Sequence, residues 1–299
     1  MTSTAPSIIA ARAAAPDPLA QPAASPPRSA AAAPSRAPHR PHRDERPPTP
    51  LRRAARWLTE ALFPPLCINC RAEVETPHGL CPDCWRETTF VAEPVCDRCG
   101  APTLGHEDAD ICDACLHQAP SFARARAALV YEGIGRRLTL ALKHGDRLDV
   151  ARPAALWMRR IGRPLIDSAD LIAPTPLHWR RLFARRANQA ATLAREVARL
   201  ADRKDDLVPD LLERVRATPS QKGLSRDERR ANLAGAIRVR PALRARVAGR
   251  RVLVVDDVIT TGATLSACAD ALREAGAAEV FALALARAVP EPFAEDDAP

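Results

Sequence analysis

Two adjacent carboxylates, Asp256 and Asp257, are followed almost at once by the hydroxyl-rich turn Thr260-Thr261-Gly262-Ala263-Thr264. Carboxylates in such a place can hold sugar hydroxyls or a metal ion. The turn offers backbone N–H groups, three threonine hydroxyls and, with a helical pattern after it, the positive end of a helix dipole. Together these suit a phosphate. Gly262 allows the backbone to approach closely. The run Val252 to Val255 before the acids is apolar throughout, as in a strand buried on both faces. Such a strand would deliver its carboxylates to the ligand-binding edge of an open α/β sheet. The segment has neither the Gly-Lys-Ser/Thr of a Walker loop nor the three-glycine spacing of a dinucleotide site.

A second chemistry lies in eight of the nine cysteines, which form four CxxC pairs: Cys67/Cys70, Cys81/Cys84, Cys96/Cys99 and Cys112/Cys115. Each pair makes a knuckle that presents two thiolates to one ion, and two knuckles complete a tetrahedral site. Four pairs therefore predict two structural zinc ions, with no open position for catalysis. The even spacing argues against a disulfide framework. Sequential ribbons and a cross-braced arrangement both satisfy the spacing. His78, His106 and His117 lie nearby and are expected to face solvent. Cys268 shares a helical face with Leu265, Leu272 and Ala275, so it is expected to pack in a core.

Composition bounds the rest. The chain has 299 residues and a net charge of +8, of which +5 falls in residues 1–60. A basic segment of that kind makes salt-sensitive contact with polyanions and carries no sequence readout. No apolar run reaches the roughly 18 residues that span a membrane, so no membrane insertion is expected. No secretory signal is recognisable, and a cytoplasmic location is expected. Lysine occurs only at 143, 204 and 222.

The elements that must position these groups read as follows. Residues 1–50, rich in Ala, Pro and Arg, are expected to be a disordered tail, which a transit peptide or a start assigned too early would also explain. Residues 51–66 form a short amphipathic helix and linker, with Trp57, Leu58, Leu62 and Phe63 able to pack on the first ribbon. Residues 67–120 are the zinc module, too small to fold without metal. From 121 to 290 an α/β pattern follows, with a parallel sheet flanked by helices. Strands are predicted at 125–131, up to Ala173, at 210–215, 252–257 and 279–286. Helices are predicted at 135–144, 150–161, 187–202, 226–232 and 263–275. Residues 291–299 are expected to be disordered.

Two more segments bear on the site. Pro174-Thr175-Pro176 forces an extended turn after a strand, and His178, Arg180, Arg181, Arg185 and Arg186 follow with no acid among them. Guanidinium forks there suit a diphosphate. Residues 214–232 are polar and lack a core face, as in a mobile lid that excludes water.

The stretch Asp256-Asp257…Thr260-Thr261-Gly262-Ala263-Thr264 closely resembles the phosphoribosyl-diphosphate (PRPP) motif of type I phosphoribosyltransferases. The ordered set of motifs resembles the ComF family, which joins a double zinc ribbon to that domain. The set comprises the CxxC pairs, Ala141-Leu142-Lys143, Pro174 to Leu177, Arg185-x-x-Asn188-Gln189 and a lid series. The lid series is Arg214, Arg216, Thr218, Ser220, Gln221, Leu224, Arg229 and Asn232. One departure is Ala187, where the family usually has Phe.

The resemblance implies that Asp256 and Asp257 contact ribose and that residues 260–264 cradle the 5-phosphate. Pro174, Thr175, Pro176, Arg185, Arg186 and Lys143 would contact the diphosphate. Ser220, Gln221, Lys222, Arg229 and Asn232 would form the lid. It implies magnesium with PRPP, a role in DNA uptake, and single-stranded DNA and a DNA-uptake helicase as partners. Three readings follow: a PRPP-dependent transferase, a nucleic-acid accessory module without turnover, and a PRPP-sensing regulator. A content of only 4% aromatic residues counts against an autonomous single-strand platform.

Overall fold

The computed structural model describes residues 64–103, 111–143, 147–177, 188–216 and 226–289. The segments read as a tail at 1–50, a helix at 51–63 and a C-terminal end at 291–299 lie outside this set. In chain order, α1 (Pro82–Arg86) and α2 (Asp113–His117) belong to the cysteine region. Then come β1 (Arg124–Val130), α3 (Gly133–Lys143), α4 (Ala151–Ser168), β2 (Leu171–Pro174) and α5 (Gln189–Leu200). These are followed by β3 (Leu212–Arg214), α6 (Arg226–Leu233), β4 (Ile237–Val239) and α7 (Arg244–Val247). The last three are β5 (Arg251–Ile259), α8 (Ala263–Glu274) and β6 (Glu279–Arg287).

Four strands make one parallel sheet in the order β1-β6-β5-β2. β3 and β4 form a separate antiparallel pair. The apolar run of β5 is explained by its position, because both of its faces are covered. Leu253 and Val255 point into one cluster with Leu129, Met158, Leu193 and Leu283, under α3, α4 and α5. Val252 and Val254 point to the other face, against Leu265, Cys268, Leu272 and Val280. The period-two alternation of a strand thus feeds two cores. Cys268 is fully buried there, as expected, and burial pushes its thiol well above the usual range.

Several elements differ from the sequence reading, among them the short, unforeseen helices α1, α2 and α7. α4 runs to Ser168 rather than ending near 161, straight through Gly162 and Pro164. Gly162 is there for packing: a Cβ would lie 2.6 Å from the Leu283 side chain. Pro164 costs one internal hydrogen bond, which the buried face of the helix outweighs. β5 extends to Ile259, so the two acids sit inside the strand and not at its end. β4 was not foreseen, because its three residues give too short a pattern. No helix among the described residues is long and apolar enough to cross a membrane.

Candidate functional site

β5 is longer than its neighbour. The β2–β5 ladder ends at Pro174 opposite Val255, and Thr175 N–H then donates to the Val255 carbonyl at 2.9 Å. β5 continues with β6 alone, pairing Asp256 with Ala284 and Val258 with Ala286. The side facing β2 is therefore open from Asp256 onward, and a cleft forms there. Its walls include Tyr131, Lys143, Thr175, Pro176, Arg214, Asp256, Asp257, Thr260 and Thr264.

The carboxylates are held in place. Asp256 Oδ1 accepts from the Thr175 hydroxyl at 2.9 Å and from the Asp257 N–H at 2.9 Å. Lys143 Nζ, on the last residue of α3, lies 3.3 Å from Asp257 Oδ2. Burial, and then the neighbouring charge of Asp257, push the Asp256 carboxyl up to about 7, against the pull of Thr175, the Asp257 N–H and Lys143. A carboxyl balanced near neutrality gains most from a partner that accepts or neutralises its charge.

The turn after β5 has the geometry its sequence implies. Gly262 takes a left-handed conformation, φ +78°, and caps α8 without a side-chain hydrogen bond. The N–H groups of Thr261 and Gly262 find no protein acceptor among the described residues. The Thr261 hydroxyl accepts from Ala263 N–H at 3.4 Å. Donors and helix dipole converge at the end of the cleft that Thr260 and Thr264 line.

Asn188 and Gln189 support the cleft. Asn188 caps α5 by accepting from Ala191 N–H at 3.4 Å, and its amide donates to the Thr175 carbonyl at 3.0 Å. Gln189 donates to the Lys143 carbonyl at 3.5 Å. The pair ties the Pro174–Pro176 turn and the end of α3 to one helix start. Both were legible as a motif, but not as braces. Arg185, Arg186, Ser220, Gln221 and Lys222 lie outside the described residues, as does the side chain of Arg229. The Asn232 carbonyl accepts from Arg216 Nη2 at 3.0 Å.

The eight cysteines gather into two tetrads, Cys67/Cys70/Cys81/Cys84 and Cys96/Cys99/Cys112/Cys115, with the sulfurs of each within 4.8 Å of one another. The arrangement is sequential, not cross-braced. Tetrahedral zinc with bonds of about 2.3 Å has sulfur–sulfur edges of about 3.8 Å. Cys70–Cys81 and Cys99–Cys112 are each 3.6 Å apart, which fits that geometry.

Backbone donors also favour thiolate. Burial opposes ionisation of Cys67, yet the N–H groups of Cys70, Cys81 and Asn69 outweigh it and bring the thiol down to about 6. Burial also opposes Cys96, which Cys99, Cys112 and Arg98 bring down to about 7. Cys84, by contrast, is pushed up to about 12 by burial and its sulfur neighbours. Four clustered thiolates need a cation, and these donor sets fit structural zinc. His78 and His117 are exposed, and the His117 ring bonds the Asp113 carbonyl in its own helix at 2.8 Å. His106 lies outside the described residues.

Comparison with known proteins agrees with both halves. The double zinc ribbon domain family matches residues 58–116, and the phosphoribosyl transferase domain family matches residues 187–298. Competence protein F of Haemophilus influenzae is 31% identical over 231 residues, covering 74% of this chain and 96% of that protein. DNA utilization protein YhgH of Escherichia coli (strain K12) is 32% identical over 233 residues, covering 75% of this chain and 97% of that one. A solved phosphoribosylpyrophosphate synthetase from Mycobacterium smegmatis is 19% identical, with 46% of this chain and 34% of that chain covered and a TM-score of 0.28, too slight a likeness to bear on fold or function. Two zinc ribbons, an acid pair on a parallel sheet, and relatives matched over nearly their whole length place the chain in the ComF family.

Proposed function

We propose that the chain is a PRPP-binding, phosphoribosyltransferase-like protein that serves DNA utilization or competence. One observation carries the reading. Asp256 and Asp257, braced by Thr175 and Lys143, share a cleft with the uncapped N-terminus of α8. An acid pair and a phosphate turn in that order match a sugar bearing a phosphate at one end.

Asp256 and Asp257 would accept hydrogen bonds from the ribose hydroxyls. Residues 260–264 would bind the 5-phosphate through backbone N–H groups and hydroxyls. The Pro174–Thr175–Pro176 turn and Lys143 would face the diphosphate, with Arg185 and Arg186 from the following segment. Magnesium, when bound with PRPP, would neutralise the diphosphate. In a transfer reaction the anomeric carbon bonds an incoming nucleophile as its bond to pyrophosphate breaks, and the fixed cations stabilise the leaving charge. The lid would exclude water, which otherwise takes the nucleophile's place. A regulator that senses PRPP would use the same site without turnover.

Calorimetric titration of the zinc-loaded protein with PRPP, with and without magnesium, tests the reading. Magnesium-dependent binding, lost in D256N/D257N, is expected. Retained affinity in that double variant would refute the site.

A second reading has its own observation. Trp85, half exposed, packs on Phe90 with ring centroids 4.6 Å apart and the planes tilted by 40°, and Phe90 meets Trp157 edge-on at 5.5 Å. With Arg160 beside them, these rings line an open apolar groove that suits the bases of single-stranded nucleic acid. W85A should weaken a salt-dependent interaction with single-stranded DNA. An unchanged affinity would remove this reading.

A further inference from the structure

Among the described residues of the α/β domain two arginines are buried, and they differ in how their charge is met. Arg203, 8% exposed, pairs with the Asp206 carboxylate and donates to the carbonyls of Ile166 and Ala169 at 2.7 and 2.6 Å. Its charge and its donors are satisfied. The guanidinium of Arg287, 5% exposed, makes a single hydrogen bond, from Nη1 to the Thr260 carbonyl at 3.1 Å. Its Nε is buried without a partner. Among the described residues no carboxylate lies within ion-pair reach of it. A buried guanidinium left in this state is costly unless an anion completes it.

Its position says which anion. Arg287 ends β6 and pairs in register with Ile259, the last residue of β5 before the phosphate turn. It therefore lies beside the Thr260–Thr264 segment. A peptide plane is trans, so its C=O and N–H point in opposite directions. Pulling the Thr260 carbonyl toward Arg287 turns the Thr261 N–H away from it, and that N–H has no protein acceptor. The same contact thus orients a donor and places a positive charge behind it.

We propose that Arg287 is a positioning residue for the phosphate turn: it fixes the Thr260–Thr261 peptide and supplies the buried positive charge for a phosphate monoester bound at the N-terminus of α8. The proposal rests on the PRPP reading above and deepens its 5-phosphate end. A competing partner exists. Cys99 and Cys115 line the same small cavity as Arg287, with room for about one water, and a zinc tetrathiolate there is a dianion.

The test uses full-length, zinc-loaded wild type, R287K and R287Q. Affinities for PRPP, ribose 5-phosphate and inorganic phosphate are measured by calorimetry, with melting temperature and zinc content in parallel. R287Q is expected to lose on the order of tenfold or more in affinity for ribose 5-phosphate, the scale of a charged hydrogen bond. R287K is expected to recover most of it. The ligand-free melting temperature of R287Q should hold or rise, because an uncompensated charge has gone, whereas a merely structural arginine would lower it. Unchanged ribose 5-phosphate affinity in R287Q overturns the proposal. So does zinc loss with phosphate affinity intact, which would assign the arginine to the tetrathiolate. Wild type that binds ribose 5-phosphate but not PRPP would defeat the PRPP reading while the arginine's role stands. Wild type that binds none of the three would overturn both.

Discussion

The two zinc ribbons share one ligand chemistry and are built into the protein in different ways. The first is part of the main core: Cys67, Ile68, Cys81 and Cys84 belong to the same apolar cluster as Leu129, Leu138 and Met158. Polar ties reinforce it. Asn69 links the Cys84 sulfur, at 3.1 Å, to Arg137 of α3, at 3.2 Å, and Arg147 donates to the Ile68 carbonyl at 2.6 Å. The second ribbon keeps a small cluster of its own, Cys96, Cys99, Ala101 and Cys115. It meets the α/β domain along β1, where Arg126 pairs with Asp97 at 3.1 Å, and beside the turn after β5, where Cys99 and Cys115 share a small cavity with Thr261, Ala263 and Arg287. Just after the ribbon, Ser121 N–H donates to the Ser266 hydroxyl of α8 at 3.3 Å, and the Phe122 ring packs beside Gly262. Metal chemistry alone does not set what a ribbon does. The first is placed to stabilise the fold, the second to support the turn.

The largest expected effect is on the first ribbon. C67S should cost about 4 kcal/mol in urea unfolding of the zinc-loaded protein, since it removes a ligand inside the main core. C96S should cost about half as much, because fewer neighbours depend on it. Each variant should retain one zinc per chain. The affinities should rank the other way, with C96S losing more PRPP binding than its stability loss explains. Equal stability losses and equal affinity losses would erase the distinction.

G100A strikes the join of the second ribbon without touching a ligand. Gly100 has φ +67°, and a Cβ would lie 2.6 Å from the Ala125 carbonyl of β1. A cost of roughly 2 kcal/mol is expected, with both zinc ions retained. Retained stability would mean that this joint is loose.

A pH series separates the site from both ribbons. The Asp256 carboxyl sits at about 7, above its unfolded value, so the native state holds that proton more tightly than the unfolded one. Its contribution to stability is therefore greatest in acid and is lost as pH climbs from about 4 to about 7. D256N should lack this slope when compared with wild type by chemical unfolding. PRPP affinity should rise over the upper part of the same range, as the carboxylate forms. C96S should keep the stability slope if the second ribbon supports only the turn.

The smallest effect belongs to R126A, which removes the pair with Asp97 across the second join. A loss of about 1 kcal/mol is expected, because Arg126 is mostly buried while Asp97 is not. A loss as large as that of C96S would show that the ribbon is held chiefly by this contact.

Legibility followed the range of the interactions. CxxC knuckles, the Thr260–Thr264 turn and core strands are local patterns, and they were read from spacing and apolar runs. The helix predicted over 150–161 continues to Ser168 through Gly162 and Pro164, both poor helix residues, and only Leu283, far along the chain, explains the glycine. The acids were read as the end of a strand, yet they lie within it, because the ladder with β6 outlasts the ladder with β2. Sequential pairing of the knuckles was equally closed to sequence, since spacing allowed two arrangements. Arg287 was invisible in a chain crowded with arginines, and only burial together with an unpaired Nε distinguishes it.

The strand order has a consequence for synthesis. Among the described residues, β1 bonds only to β6 within the sheet, and β6 is the last strand in chain order. While the ribosome is translating residues 131–278, β6 is missing from its place beside β1, whose other edge can already bond Thr89 and Val91. Both ribbons can capture metal during that interval, since every cysteine ligand precedes β1. The nascent chain therefore carries finished metal knuckles ahead of an unfinished sheet, and the sheet can close only when Glu279–Arg287 slots between β1, made long before, and β5, made just ahead of it.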